Sequence, residues 1–175
     1  CGPDTYVADH FTHRGNVYGA GCGTDMYDSD DNGVVDSYNP RSGIVQGNTE
    51  VNIYGGHISR NVYGGGAMAM VGTYSTSTGG TPSAPGLWGD DITANASGTG
   101  KAVVNVSGGT IGTSDAPEGI DHGNVFGGSR GPNTGDGFTN IALTDTSYVF
   151  ISGTANVLGS VYGGGAKSWT RTARV

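Results

Sequence analysis

The chain reads as all-β, a parallel β-solenoid (β-helix) built from Val-x-Ile-Ser-Gly-Gly / Asn-Val-Tyr-Gly-Gly-Gly repeats with long loop insertions. Three observations predict this. Asn61-Val62-Tyr63-Gly64-Gly65-Gly66 recurs with small edits as Asn16-Val17-Tyr18-Gly19-Ala20-Gly21, Asn124-Val125-Phe126-Gly127-Gly128-Ser129 and Ser160-Val161-Tyr162-Gly163-Gly164-Gly165, and recurrence at this scale is the mark of an array. Three of these copies follow an alternating apolar run, the form of a strand with one buried face. Glycine makes up 35 of the 175 residues and gathers after each run, where a sharp corner needs positive φ.

The alternating piece reads Val51-Asn52-Ile53-Tyr54-Gly55-Gly56-His57-Ile58, then Val104-Asn105-Val106-Ser107-Gly108-Gly109-Thr110-Ile111, then Val149-Phe150-Ile151-Ser152-Gly153-Thr154-Ala155-Asn156-Val157. Val, Ile, Tyr and Phe suit a pleated, half-buried surface. Each unit is therefore an apolar run, a glycine corner, a lone apolar residue, then Asn-Val-Tyr and a second glycine corner. No window carries a helical period of useful length. The aromatic of the second motif recurs after 45, 63 and 36 residues. A solenoid absorbs such uneven spacing by keeping its coil constant and taking insertions on one side. The shortest spacing fits either two coils of about 18 residues or one coil with a large loop.

Residues 1–175 are expected to form a single solenoid domain, with insertions at 24–43, 67–100, 113–122 and 130–144. Neither end carries an obvious capping element, so the expectation is a segment of a longer array or a subunit that stacks on its own copies. Only 13% of residues are charged and the net charge is −7. That balance disfavours nucleic acid and anionic membrane, which need a basic face. No apolar run is long enough to span a bilayer. Cys1 and Cys22 allow one disulfide, expected in an oxidising compartment. Two free thiols, or an acylated Cys1, are the alternatives.

The sharpest chemical motif lies in the first insertion, Asp28-Ser29-Asp30-Asp31-Asn32-Gly33-Val34-Val35-Asp36. It matches the calcium loop D-x-[DN]-x-[DN]-G, with Asp36 at the ninth position. Calcium takes six to eight hard oxygens, and alternate carboxylates converge only where the loop turns sharply, which Gly33 permits. Asp28, Asp30, Asn32 and Asp36 would supply side-chain oxygens and Val34 its carbonyl. The motif resembles the loops of EF-hand and dockerin modules. It departs at the twelfth position, Asn39, where those loops carry a bidentate Glu. Asn39 or Asp25 would then complete the shell. The bland alternative is an acidic surface turn.

By parity, Val17, Val62, Val125 and Val161 share one face and are expected to be core. Tyr18, Tyr63, Phe126 and Tyr162 share the other with Asn16, Asn61 and Asn124. Those aromatics would form an outer strip able to take a glycan or a partner subunit. Trp88, beside Asp90 and Asp91 in the second insertion, is a further sugar-facing candidate, set against a role covering the wall. For enzymatic work the basic residues Arg60, Lys101, Arg130 and Lys167 are scattered. His10, His13, His57 and His122 have no metal-protease spacing. No nucleophile–base order stands out, so no catalytic residues are assigned.

The pairing of the two motifs resembles the glycine-rich adhesin-like repeat proteins of bacterial surfaces, notably those of Bacteroidetes, over most of the chain outside the insertions. The resemblance implies an exported β-solenoid, extracellular or on the bacterial cell surface, used as a stalk, adhesin or fibre component. The expectation is a calcium-stabilised structural or adhesive protein, not an enzyme, whose partners are a glycan, a host or matrix surface, or copies of itself. A self-assembling filament subunit and a carbohydrate-active β-helix enzyme are the alternatives.

Overall fold

A computed structural model describes residues 15–23, 30–33, 42–72, 100–114, 122–131 and 142–175. Among the described residues eleven strands wind as a parallel solenoid with three sheets. They are β1 (Val17–Tyr18), β2 (Thr49–Ile53), β3 (His57–Ile58), β4 (Val62–Tyr63), β5 (Lys101–Val106), β6 (Thr110–Ile111), β7 (Val125–Phe126), β8 (Thr144–Ile151), β9 (Asn156–Val157), β10 (Val161–Tyr162) and β11 (Thr170–Arg174). The first sheet runs β1-β4-β7-β10, the second β2-β5-β8-β11 and the third β3-β6-β9. Each strand pairs, in parallel, with the strand three places later. One coil is thus one long strand and two short ones, and the repeat spacing of 36, 45 or 63 residues is one coil plus an insertion.

Register follows the repeat residue by residue. Val51 faces Val104, which faces Val149. Ile58 faces Ile111, which faces Val157. Val17, Val62, Val125 and Val161 align in the first sheet. These rows meet inside the coil: Val51, Val62, Val104, Val106, Ile111, Val125 and Val149 form the buried core, with Val17, Ile58, Val157 and Val161 packed against it. The valine row is core, as its parity predicts.

Glycines shape the corners. Gly56 and Gly109 occupy equivalent positions with φ +86° each, a left-handed conformation that L side chains resist. Gly19, Gly64 and Gly127 follow the aromatic for another reason. A Cβ on each would run into the carbonyl of the equivalent glycine one coil on, namely Gly64, Gly127 and Gly163. The coils can stack at strand spacing there only without side chains.

Asparagine before the valine closes the backbone bookkeeping. Asn16 Oδ1 accepts from the Asn61 N–H (3.0 Å), Asn61 Oδ1 from the Asn124 N–H (2.9 Å) and Asn124 Oδ1 from the Ser160 N–H (2.8 Å). Each asparagine therefore satisfies the main chain of its own equivalent in the following coil. Ser129 explains the one copy that ends Gly-Gly-Ser. It is fully buried, its hydroxyl accepts from the Gly66 N–H (3.1 Å) and donates to the Ala69 carbonyl (3.1 Å).

The insertions are less loop-like at their edges than expected. Residues 67–71 are buried, and Met68 and Val71 form parallel bridges to Gly23, Val45 and Thr144. Met70 and Leu143 build a second small core with Ile44 and Trp169. Residues 67–72 thus extend the solenoid wall, and so do 142–144, which the sequence reading had assigned to the 130–144 insertion. The physical reason is apolar content: Ala-Met-Ala-Met-Val and Ala-Leu alternate too weakly to read as strands but bury well.

Replacing Asn61 with Ala should lower stability by about 1–3 kcal/mol, because it strands the buried Asn124 N–H. The same change at Asn105, whose amide bonds only exposed groups, should fall within about 0.5 kcal/mol. Urea midpoints of the two variants check this.

Candidate functional site

The aromatic row of the first sheet forms one stack. Ring centroids lie 5.0 Å apart for Tyr18–Tyr63, 4.9 Å for Tyr63–Phe126 and 4.8 Å for Phe126–Tyr162, with interplanar angles of 10°, 4° and 9°. That spacing is the strand spacing itself. The rings face away from the valine core, yet Tyr63 is only 3% exposed and Phe126 5%. The expected outer ligand strip is therefore corrected at its centre: the middle of the row is covered and only Tyr162, at 47%, is well exposed. The stack works as a second packed layer. Parity gives the side of a strand on which a residue sits; it does not say whether that side is buried.

The exposed aromatics lie elsewhere, on the outer face of the second sheet. Burial alternates along β2, β5 and the body of β8, which turns Glu50, Asn52, Lys101, Val103, Asn105, Thr146, Tyr148 and Phe150 outward. Tyr148 and Phe150 lie side by side, centroids 6.2 Å apart and rings 5° from parallel. Phe150 is 55% exposed, and Tyr54, two residues past Asn52 in the first coil, is 79% exposed. Lys101 Nζ lies 5.6 Å from the Tyr148 ring centroid, and the Arg174 guanidinium 6.0 Å. At the other end of the face Asn105 Nδ2 donates to Asn52 Oδ1 (2.8 Å), and Glu50 Oε1 accepts from Asn52 (3.1 Å) and Asn105 (3.3 Å). The face thus runs from a carboxylate held by amides to an aromatic pair bracketed by two cations. Such a surface can stack on a sugar ring and bond its substituents.

Sequence reasoning passed over this face, although the signal was present. The middle residue of each alternating run is Asn52, Asn105 and Phe150, and these three align in register. A phenylalanine at an outward position of a polar row is the anomaly that marks it. Lys101, read as scattered, is brought to the row by the sheet.

The third sheet presents a smaller feature. His57, Thr110 and Asn156 line an open cleft with Leu158, and a ring nitrogen of His57 lies 2.7 Å from the Gly112 carbonyl. Of the proposed calcium loop, Asp28, Val34, Asp36, Asn39 and Asp25 lie outside the described residues. Asp30 and Asn32 are exposed, and Asp31 (φ 58°) and Gly33 (φ 87°) are left-handed. Among the described residues no three His, Cys, Asp or Glu side chains gather into a metal site. Trp88 lies outside the described residues. Cys22 is disulfide-bonded; Cys1 also lies outside them. Among the described residues no helix is long and apolar enough to cross a membrane.

Comparison with protein-family models, curated proteins and solved structures found no match in any of the three.

Tyr63→Ala should cost about 3 kcal/mol or more, since it opens a cavity and breaks two ring contacts. Tyr162→Ala, at the exposed end, should cost no more than about 1 kcal/mol. Chemical denaturation of both variants distinguishes a packed layer from a surface strip.

Proposed function

We propose that this chain is an extracellular or cell-surface structural and adhesive module, a stiff solenoid that holds a binding face. The observation that carries this is the outer face of the second sheet. Exposed aromatic side chains rimmed by polar groups mark interaction sites, and here they stand on in-register strands that fix their positions. Rigid elements place a site more accurately than loops do. The partner is a glycan or a matrix surface, and the work done is attachment, with no reaction assigned. The resemblance to glycine-rich adhesin-like repeat proteins points the same way.

Calcium belongs to the same proposal. The loop from Asp28 to Asp36 has the residue types and spacing to hold the ion, and a left-handed Gly33 suits such a loop. Ion binding there would tie down an insertion between β1 and β2 and stabilise the folded state by mass action.

Two measurements test this reading. Millimolar calcium should raise the melting temperature and EDTA reverse it; an unchanged melt in both would remove calcium from the proposal. Phe150→Ala should leave the melt unchanged and reduce retention of the protein on glycan-coated surfaces. Equal retention of variant and parent would dismiss the face as the adhesive site.

A further inference from the structure

The charge along the outer face of the second sheet is uneven. The chain has fifteen acidic and eight basic residues, yet Lys101, Arg171 and Arg174 all lie on the strands β5 and β11 of this one sheet. Arg171 is engaged with the buried Asp145 at 2.6 Å. Lys101 and Arg174 both direct their charge to Tyr148, one from the coil before it and the other from the strand after it. Arg174 is the register partner of Tyr148, and Val103 fills that position on the other side. The carboxylate on this face, Glu50, sits a full coil further away, opposite Val103, and is held by two asparagine amides. The end of the face that holds the aromatics is therefore its cationic end.

We propose that this end of the face, Tyr148 and Phe150 with Lys101 and Arg174, binds an acidic polysaccharide. The inference rests on the adhesive reading above and supplies its ligand class. A sugar ring stacks on Phe150, whose side is open to solvent. The acidic substituent of a neighbouring residue pairs with the Lys101 ammonium or the Arg174 guanidinium, which flank the Tyr148 ring from β5 and β11. A guanidinium offers a planar fork to a carboxylate or sulfate and an ammonium a mobile point charge. The asparagine pair Asn52–Asn105 continues the track with donors and acceptors for hydroxyl groups. Glu50 repels an anion at the far end, so the acidic group is directed towards β8 and β11. The cation pair also holds the Tyr148 ring by cation–π contact, which orders the two charges before a ligand arrives.

The experiment is a titration of the 175-residue chain with four polymers at low and at moderate salt. They are polygalacturonate, a sulfated dextran, neutral dextran and an oligothymidylate. Phe150→Ala and the double variant Lys101→Gln/Arg174→Gln are run beside the parent, each first checked for an unchanged melt. The expected result is binding to polygalacturonate or sulfated dextran that weakens with salt, by screening. It falls about tenfold in Phe150→Ala, the loss of one good contact, and further in the double variant. Preference between the two acidic polymers identifies carboxylate or sulfate as the group recognised. Equal, salt-insensitive binding of neutral dextran overturns the acidic ligand and leaves the adhesive reading standing. Acidic binding that neither variant alters overturns the location. Tighter binding of the oligothymidylate replaces the polysaccharide with a stacked single strand. A folded parent that binds none of the four removes both this inference and the adhesive reading.

Discussion

The in-register stacking of each coil on the next is the constraint from which the rest of this structure follows. Every residue has its own equivalent as a neighbour at strand spacing, so a side chain is favourable only if it tolerates a copy of itself. Valine and isoleucine do, and they fill the interior. Aromatic rings do when they lie face to face, and four of them stack along the first sheet. Asparagine does because its amide oxygen can accept the N–H of the next asparagine. Charged residues do not, since like charges in one row repel, and the long strands keep them to single positions. The low charge of the whole chain is a consequence of the architecture before it is a statement about partners.

The same constraint separates what the sequence could reveal from what it could not. The Val-x-Ile and Asn-Val-Tyr pieces carry period two over enough residues to identify the strands, and their recurrence identifies the parallel stacking. The core row at Val17, Val62, Val125 and Val161 followed from parity. The burial of Tyr63 did not, because parity gives the side of a strand and not how deeply that side is covered. The wall segment at residues 67–71 was hidden for a related reason: it occurs once and pairs by isolated bridges. The binding face was readable in principle. Phe150 stands where the two preceding coils have asparagine, and a break in a ladder says more than the ladder.

Insertion length is nearly free in this design. Successive aromatics are separated by 36 to 63 residues, yet the coils meet in the same register. Closing a longer loop costs only about 0.6 kcal/mol for each doubling of its length. This is less than a single buried backbone hydrogen bond restores when its partner would otherwise be lost. The coil is therefore insulated from the chain between coils, and those segments are free to vary in chemistry without a penalty in register.

The asparagine ladder also has a direction. In every step the side-chain oxygen comes from the earlier coil and the backbone N–H from the later one. A coil that has formed thus presents a side-chain acceptor to the chain that follows it, while the later coil returns a backbone carbonyl, as Asn124 does to the Val62 N–H. Only the side-chain half of each step runs one way. For a chain that emerges amino end first, each coil therefore finds that side-chain acceptor already in place for its own backbone N–H.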